Sequence, residues 1–315
     1  MSDPVPMTRS PRRGLRLRVA RPPIPVEVGR PMPPENVAGP GRDPRFLLPQ
    51  RFVDLRGLRT AYFDAGEGPV VLFIHGLAGN VTHWLHVAPE LAERCRTIGL
   101  DLPGHGETGR CDVRYTVRMY ADHVVAFLNA LDIDRATIVG HSLGGMVATD
   151  VALRHRSRAE RLVLVNPAGS QPMPLPVRII GEALLRPWIL NPVLPRVWKN
   201  ILDNVFYEKN AHTEAFVQNC EATYKVSDIV DISRVISDLR DDFLGRDFAA
   251  DLGDLTLPVS LVWGEKDHLV PARLLRRTAA RLAHVTCDEI ASCGHMPIIE
   301  RPQRVIAAIE RGLPG

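Results

Sequence analysis

Residues 136–145 read Ala-Thr-Ile-Val-Gly-His-Ser-Leu-Gly-Gly. A β-branched apolar run passes directly into a Gly-x-Ser-x-Gly pattern, and a helical pattern begins at Leu143. A sharp strand-to-helix turn forces its central residue, Ser142, into a strained backbone conformation, and only small residues fit on either side. The Ser142 hydroxyl would then project from the strand end, beside the positive end of a helix. This stretch therefore predicts an exposed, nucleophilic serine.

Strand and helix patterns alternate on both sides of this turn. A hairpin is predicted first, with strands Arg51–Leu55 and Leu58–Phe63. The later strands are predicted at Val70–His75, Thr97–Asp101, Ala136–Gly140, Arg161–Val165, Leu257–Trp263 and Val285–Ile290. The helices between them are predicted at Thr82–Arg94, Thr116–Leu131, Leu143–His155, Ala272–Leu282 and Gln303–Arg311. Such alternation predicts an α/β fold, with a mostly parallel central sheet covered by helices on both faces.

The alternation is interrupted between Asn166-Pro167 and Leu257 by residues with mostly helical patterns. An insertion after one strand of a continuing sheet is typical of a helical cap. We therefore predict a core of residues 50–166 and 256–315 and a cap of residues 167–255. The segment Pro174–Trp198 is apolar, and its five prolines predict short helices that shift against each other above Ser142.

Residues 1–49 hold 12 of the 27 prolines and are predicted to form a disordered tail. Residues 1–50 carry nine arginines and four acidic residues, a net charge of +5, whereas the whole chain carries +3. The other 265 residues are thus close to neutral, which gives no reason to expect a nucleic-acid partner. The tail is interpreted as a solvated extension without function, and the alternative is a weak contact with a membrane or lipid surface, through the cap or the tail. The oligomeric state is left open.

Neither an export signal nor a membrane span is predicted, because the longest uncharged stretch of the body, Gly68–Pro89, contains glycines and three histidines. Five cysteines without a C-x-x-C pair indicate reduced thiols and a cytoplasmic protein. No metal site and no nicotinamide or flavin cofactor are predicted. The pair His83-x-x-His86 lacks a third ligand and is expected to be an exposed helix face.

Histidine and acidic residues follow other predicted strands, and in a parallel sheet the strand ends meet at one edge. Serine needs a base, and His295 in the last glycine-marked loop is the best candidate. His75 is expected to support a neighbouring loop, and His105 is expected to be structural. Asp267 is the predicted acid, and Glu265 is its competitor. His141 is expected to point away from the nucleophile beside it.

The transition state of acyl transfer also needs donors for a negative oxygen. The Leu143 amide, at the start of a predicted helix, and the Leu77 amide, after His75-Gly76, are the predicted oxyanion-hole donors.

From about Arg51 onward the chain resembles the α/β-hydrolase fold superfamily. The resemblance rests on the Gly-x-Ser-x-Gly turn, His75-Gly76, Asp101-x-Pro-Gly-His-Gly, Trp263-Gly264-x-x-Asp267 and Gly294-His295-x-Pro297. It implies Ser142 as nucleophile, Asp267 as acid and His295 as base. Some members of the superfamily carry the acid after the strand that precedes the insertion, where this chain has Asn166-Pro167.

The fold does not determine the reaction. Ring-cleavage C–C hydrolases commonly have Asn before the nucleophile, whereas His141 and Leu143 resemble the pattern of lipases and carboxylesterases. We therefore expect a serine esterase, with a hydrophobic acyl ester as substrate and an acyl-enzyme intermediate. A C–C bond hydrolase, a perhydrolase, or a non-catalytic ligand-binding member of the same fold are the alternatives.

Overall fold

A computed structural model describes residues 48–169, 172–224, 226–282 and 285–313. Residues 1–47 of the predicted tail lie outside the described ranges. The eight strands are β1 Gln50–Leu55, β2 Leu58–Ala65, β3 Val70–Ile74, β4 Arg96–Leu100, β5 Ala136–His141, β6 Ala159–Val165, β7 Val259–Gly264 and β8 Val285–Ile290. They form one sheet in the order β1-β2-β4-β3-β5-β6-β7-β8, in which only the β1–β2 and β2–β4 pairs are antiparallel. The predicted fold class is confirmed.

Within the described ranges, six α-helices belong to the predicted core. They are α1 Ala88–Leu91, α2 Val117–Ala130, α3 Leu143–Arg154, α10 Ala272–Ala279, α11 Pro297–Glu300 and α12 Pro302–Glu310. The Thr116 hydroxyl caps α2 by accepting from the Met119 amide. Six more helices follow β6 in the described part of the chain and lie in the insertion predicted to be the cap. They are α4 Leu175–Leu184, α5 Pro187–Asn204, α6 Ala211–Thr223, α7 Val226–Asp238, α8 Arg240–Gly245 and α9 Phe248–Gly253.

The buried apolar side chains form two clusters, because successive residues of each strand point to opposite faces of the sheet. Leu72 and Ile138 belong to the cluster that includes α2 and α3. Phe73 and Val139 belong to the other cluster, which includes α1, α12 and the inner side of the cap. The strands around β5 are therefore buried on both faces, as a parallel sheet requires. All five cysteines are unpaired.

Two helix predictions were wrong. The helix predicted over Thr82–Arg94 is a 3-10 turn, Val81–Trp84, followed by the short α1. Pro89 has no amide hydrogen to donate to the Leu85 carbonyl, so it is tolerated in the first turn of α1 but not inside one continuous helix. Conversely, α5 continues through Pro192 and Pro195. Each proline removes only one helical hydrogen bond, and the carbonyls left without a donor belong to exposed residues that water can reach. In the described ranges, no helix is both long enough and apolar enough to cross a bilayer.

Candidate active site

Ser142 lies in the sharp turn between β5 and α3. Its φ angle is 51°, in the left-handed region that side chains other than glycine rarely adopt. Its neighbours permit the turn: a Cβ atom on Gly140 would lie 2.3 Å from the Gly144 carbonyl oxygen, and one on Gly144 would lie 2.1 Å from the Ile74 carbonyl oxygen. The strained serine and the tight glycine packing predicted from the sequence are thus present together.

His295 and Asp267 contact each other, although 28 residues separate them. His295 follows β8 and Asp267 follows β7, and these strands are neighbours in the sheet. The His295 Nδ1 atom lies 2.7 Å from Asp267 Oδ2, and both residues are buried. Asp267 therefore accepts the proton carried by Nδ1, which leaves Nε2 as the nitrogen that can accept a proton.

The Asp267 carboxylate is held by four donors. Oδ1 accepts from the backbone amides of Leu269 and Val270 at 2.8 and 2.9 Å, while Oδ2 accepts from His295 and from the Asn166 side-chain amide. Burial by itself would raise the pKa of Asp267, but the hydrogen bonds from His295, Val270 and Asn166 outweigh it and the pKa is lowered. The carboxylate is therefore kept in its charged form.

Asn166 is a site residue that the sequence analysis missed. It directly follows β6, at the position where other proteins of this fold can carry the acid, and it is fully buried. Its φ angle of 43° is again left-handed. Its amide nitrogen donates to Asp267, and its amide oxygen accepts from the Gly264 backbone amide at 3.3 Å. The available signal was a polar residue directly after a buried strand. The sequence analysis noted Asn166 only because other members can carry the acid at this position.

The two predicted oxyanion donors, the amides of Leu77 and Leu143, donate to no acceptor within the described residues. Leu143 is the first residue of α3, so its amide belongs to the helix end that lacks intrahelical acceptors. Leu77 lies in the loop after β3. A Cβ atom on Gly76 in this loop would lie 3.1 Å from the Ser142 Cβ, so the loop packs directly against the serine.

His75 fixes the position of this loop. Its Nδ1 lies 2.7 Å from the Gly76 carbonyl oxygen, and its Nε2 accepts from the Leu102 amide at 2.9 Å. Both ring nitrogens are therefore used by a neutral imidazole with its proton on Nδ1. Burial, together with the nearby His105, holds the pKa of His75 well below its ordinary value. The loop-supporting position expected for His75 agrees with these contacts.

The prediction that His141 points away from the site was incomplete. Its ring centroid lies 4.9 Å from that of His295, and its Nε2 donates to the His295 carbonyl oxygen over 2.8 Å. Among the described residues no hydrogen bond joins the Ser142 hydroxyl to the His295 ring. Such bonds are often long without substrate and shorten when it binds. His141 holds the His295 backbone against the turn that carries Ser142.

The cap also contacts the His295 loop. The His295 backbone amide donates to the Val205 carbonyl oxygen at 2.9 Å. Buried Glu300 accepts from the Gly294 amide with one carboxylate oxygen and from the amides of Tyr207 and Glu208 with the other, at 2.9 to 3.0 Å. The end of α5 and the residues after it are thus joined to the loop that presents His295.

A second part of the cap contacts the loop of Leu77. The Tyr224 hydroxyl donates to the Ala78 carbonyl oxygen at 2.7 Å, and Ala78 has a left-handed φ of 55°. Phe216 of α6 lies against the ring of His83, with centroids 5.2 Å apart. His83 is buried and its pKa is lowered to about 3 by burial and by the neighbouring His105 and His295. The prediction of an exposed His83 face was therefore wrong.

Glu265, the competing acid, and His105, which is expected to be structural, lie elsewhere. Glu265 lies in the turn after β7, where its carboxylate contacts Lys266 and the Ser292 amide and not His295. His105 is buried in its own loop beside Tyr120, and burial lowers its pKa to about 4. The structure thus groups Ser142, Asp267 and His295 at one edge of the sheet and leaves Glu265 and His105 outside the group.

Comparison with known proteins identifies the family to which the chain belongs. Residues 69–302 match the family model described as the alpha/beta hydrolase fold. An uncharacterised protein of Mycobacterium tuberculosis is 29% identical over 287 residues, which cover 83% of this chain and 80% of that protein. A 2-hydroxymuconate semialdehyde hydrolase of a Pseudomonas species is also 29% identical, over 80% of this chain and 89% of that enzyme.

Among solved structures, a bacterial membrane phospholipase A is similar, with a TM-score of 0.70 and 25% identity over 85% of this chain and 88% of that one. The names of the semialdehyde hydrolase and of the phospholipase A state two different hydrolytic reactions. Because the family model covers most of the chain and includes Ser142, Asp267 and His295, this protein belongs to the α/β-hydrolase fold family and is a hydrolase.

Proposed function

We propose that this hydrolase cleaves a carboxylic ester of a hydrophobic acyl group through an acyl-enzyme intermediate on Ser142. The observation that carries the proposal is the Asp267–His295 pair, 2.7 Å apart, at the sheet edge where strained Ser142 projects. A serine hydroxyl is a weak nucleophile and needs an oriented base. Here the base has one ring nitrogen bound to a charged carboxylate and the other available.

In the first half-reaction, the Ser142 hydroxyl oxygen attacks the ester carbonyl carbon while His295 Nε2 takes the hydroxyl proton. The carbonyl oxygen becomes negative and accepts from the amides of Leu77 and Leu143, each of which contributes about 3 kcal/mol at that stage. Asp267 stabilises the imidazolium that forms. The C–O bond to the alcohol then breaks, and His295 gives its proton to the leaving alcohol.

In the second half-reaction, His295 removes a proton from water, and the resulting hydroxide attacks the acyl carbon. The same two amides stabilise the second oxyanion. Collapse breaks the bond to Ser142, which regains its proton from His295, and the carboxylic acid leaves. Each step uses neutral His295 first as a base and then, protonated, as an acid.

The surroundings of the site support an apolar acyl group. Leu194, Trp198 and Phe216 of the cap are buried in the same apolar cluster as Val165, which precedes Asn166, and Met296, which follows His295. The cap thus brings apolar side chains to the edge of the sheet where the acyl group would lie. Apolar walls with few polar groups are typical of small-molecule pockets.

Carbon–carbon bond hydrolysis is the second candidate, favoured by the 29% identity to the 2-hydroxymuconate semialdehyde hydrolase. That reaction needs the same serine geometry but a different substrate. The His141-Ser142-Leu143 sequence supports the ester, because it resembles lipases and carboxylesterases more than ring-cleavage hydrolases.

The test is kcat/KM for p-nitrophenyl acetate, butyrate, hexanoate and octanoate, beside 2-hydroxymuconate semialdehyde. Each buried methylene contributes up to about 0.8 kcal/mol, or about fourfold in kcat/KM. We expect kcat/KM to rise from acetate to medium chains, with Ser142→Ala as the control that removes activity. A steady fall from acetate would exclude the apolar acyl site. A much higher kcat/KM for the semialdehyde than for every ester would assign the C–C reaction instead.

A further inference from the structure

The surface of the cap carries an unusual concentration of apolar side chains on α4 and the first part of α5, here called the apolar hairpin (residues 175–197). Eight of the eleven large apolar side chains that are strongly exposed within the described residues lie there. They are Leu175, Val177, Ile179, Ile180, Leu184, Trp188, Val193 and Val197. Contiguous apolar surface of this kind on a folded protein marks an interaction site.

Packing within the cap does not explain why the hairpin is so apolar. None of the residues of α4 is buried, and the helix rests on α8 through its one glycine, where a Cβ atom on Gly181 would lie 3.0 Å from Leu244. In α5, the buried residues are Leu194, Trp198 and Leu202, on the side that faces the apolar cluster of the core. The eight exposed apolar residues of the hairpin point away from the body of the protein.

The charge of this surface indicates what it contacts. Pro174–Trp198 contains Arg178, Arg186 and Arg196 but only one acidic residue, Glu182, whereas residues 51–315 together carry a net charge of −2. None of the three arginines forms an ion pair with a carboxylate within the described ranges. Arg186, which lies between the two helices, donates instead to the Glu182 carbonyl oxygen of α4, and Arg196 donates to the Pro192 carbonyl oxygen of α5. The apolar surface is therefore flanked by positive charge that the protein itself does not neutralise.

The hairpin also carries the most exposed tryptophan. Trp188 is 74% exposed, while the chain's other three tryptophans, Trp84, Trp198 and Trp263, are buried. Helices that lie on a bilayer surface combine an apolar face with arginine or lysine and tryptophan, because the ring and the guanidinium both suit the head-group region. The hairpin has all three features.

We infer that the apolar hairpin docks on the surface of an anionic phospholipid bilayer, with Arg186 and Arg196 at the lipid head groups and Trp188, Ile180 and Leu184 among the acyl chains near the surface. A second copy of the chain fits less well. A two-fold contact would place hairpin against hairpin and bring the same positive charges together. The inference rests on the exposed surface alone and does not depend on the proposed ester chemistry.

Trp188 makes the docking directly measurable. The full chain is titrated with vesicles of phosphatidylglycerol, and separately of phosphatidylcholine, while tryptophan emission and co-sedimentation are followed. We expect binding and a blue shift with phosphatidylglycerol, both weakened by salt, and much weaker effects with phosphatidylcholine. Trp188→Phe should abolish the shift but retain most of the co-sedimentation, because the other three indoles are already buried.

Surface variants then test the site itself. Ile180→Ser with Leu184→Ser should weaken binding by at least about tenfold, and Arg186→Gln with Arg196→Gln should weaken binding and reduce its salt dependence. Val113→Ser, at an exposed apolar residue outside the hairpin, is the matched control and should bind as the parent does. Circular dichroism and thermal unfolding verify that each variant is folded.

Three results would overturn the inference. Co-sedimentation without a Trp188 shift would assign binding to another part of the chain, such as the basic residues 1–50. Unchanged binding by the folded Ile180/Leu184 variant would exclude the hairpin. Sedimentation velocity showing a dimer that the same variant dissociates, with no vesicle binding, would assign the surface to a second copy.

Discussion

The side-chain amide of Asn166 donates to Oδ2 of Asp267, the same carboxylate oxygen that accepts from His295 Nδ1. The acid therefore does not depend on the histidine alone for its orientation. Asn166 is itself fixed, because its amide oxygen accepts from Gly264 at the end of β7. Neighbouring strand ends thus orient each other's side chains, and Asn166 is a positioning residue that acts through Asp267.

Replacing Asn166 tests this relationship. Asn166→Gly removes the amide but tolerates the left-handed φ of 43°. Hydrogen bonds to charged groups contribute about 1.5–3 kcal/mol, so kcat on an ester substrate should fall about 10- to 100-fold while KM changes little. The free energy of unfolding, measured in urea, separates this effect from instability. An unchanged kcat in the folded variant would show that Asn166 does not position Asp267.

Asp267→Asn and Glu265→Gln form a matched pair that tests the assignment of the acid. Asn at 267 cannot stabilise the imidazolium and favours the wrong tautomer of His295, so kcat should fall by about 10³- to 10⁴-fold. Glu265→Gln should have little effect, because Glu265 contacts Lys266 and the Ser292 amide instead. Steady-state kinetics on one ester decides between them. A larger loss of kcat in Glu265→Gln than in Asp267→Asn would identify Glu265 as the acid.

Tyr224→Phe tests the link between the cap and the loop of Leu77. The change keeps the ring but removes the hydroxyl that donates to the Ala78 carbonyl. A neutral hydrogen bond contributes about 0.5–1.5 kcal/mol, so kcat/KM should fall about two- to tenfold. Tyr207→Phe, at an exposed tyrosine of the cap, is the control and should leave kcat/KM unchanged. Equal effects of the two variants would mean that the link has no influence on turnover.

The buried histidines predict acid sensitivity of the fold. Burial lowers the pKa of His83 to about 3 and that of His105 to about 4, whereas in the unfolded chain both titrate near 6.5. Between these values the unfolded chain binds more protons, so stability is fully present above pH ~6.5 and is lost as the pH falls toward 4. In this range each histidine lowers the free energy of unfolding by up to about 1.4 kcal/mol for each pH unit of acidification.

Urea unfolding at pH 7, 6 and 5 measures this slope, and His105→Gln provides the comparison. Glutamine does not titrate, so the variant should lose less free energy of unfolding than the parent between pH 7 and pH 5. A free energy that is the same at all three pH values in the parent would contradict the role assigned to burial.

Much of the fold was predictable because the relevant signals are local. The Gly140–Gly144 turn, the apolar strands and the polar residues at their ends each occupy a few consecutive positions, and the order of Ser142, Asp267 and His295 followed from them. Val285–Ile290 is a strand with the predicted bounds.

What the sequence could not predict depends on contacts between distant segments. Burial of His83 follows from the packing of Phe216 against it, and the roles of Val205 and Tyr224 follow from how the cap rests on the loops below. Helix α5 was predicted to break at Pro192 and Pro195, because the pattern does not show that the helix surface there is open to water. The periodicity of apolar residues within one segment does not show which distant segments pack against it or which of its surfaces are open to water.

Labelling with a fluorophosphonate tests most directly whether Ser142 is the nucleophile. The reagent forms a stable bond only with an activated serine, and peptide mass spectrometry then locates it. We predict one label per chain, on Ser142, with no label in Ser142→Ala and much slower labelling in Asp267→Asn. Failure to label a protein that still hydrolyses esters, or a label on another serine that accompanies loss of activity, would contradict the account.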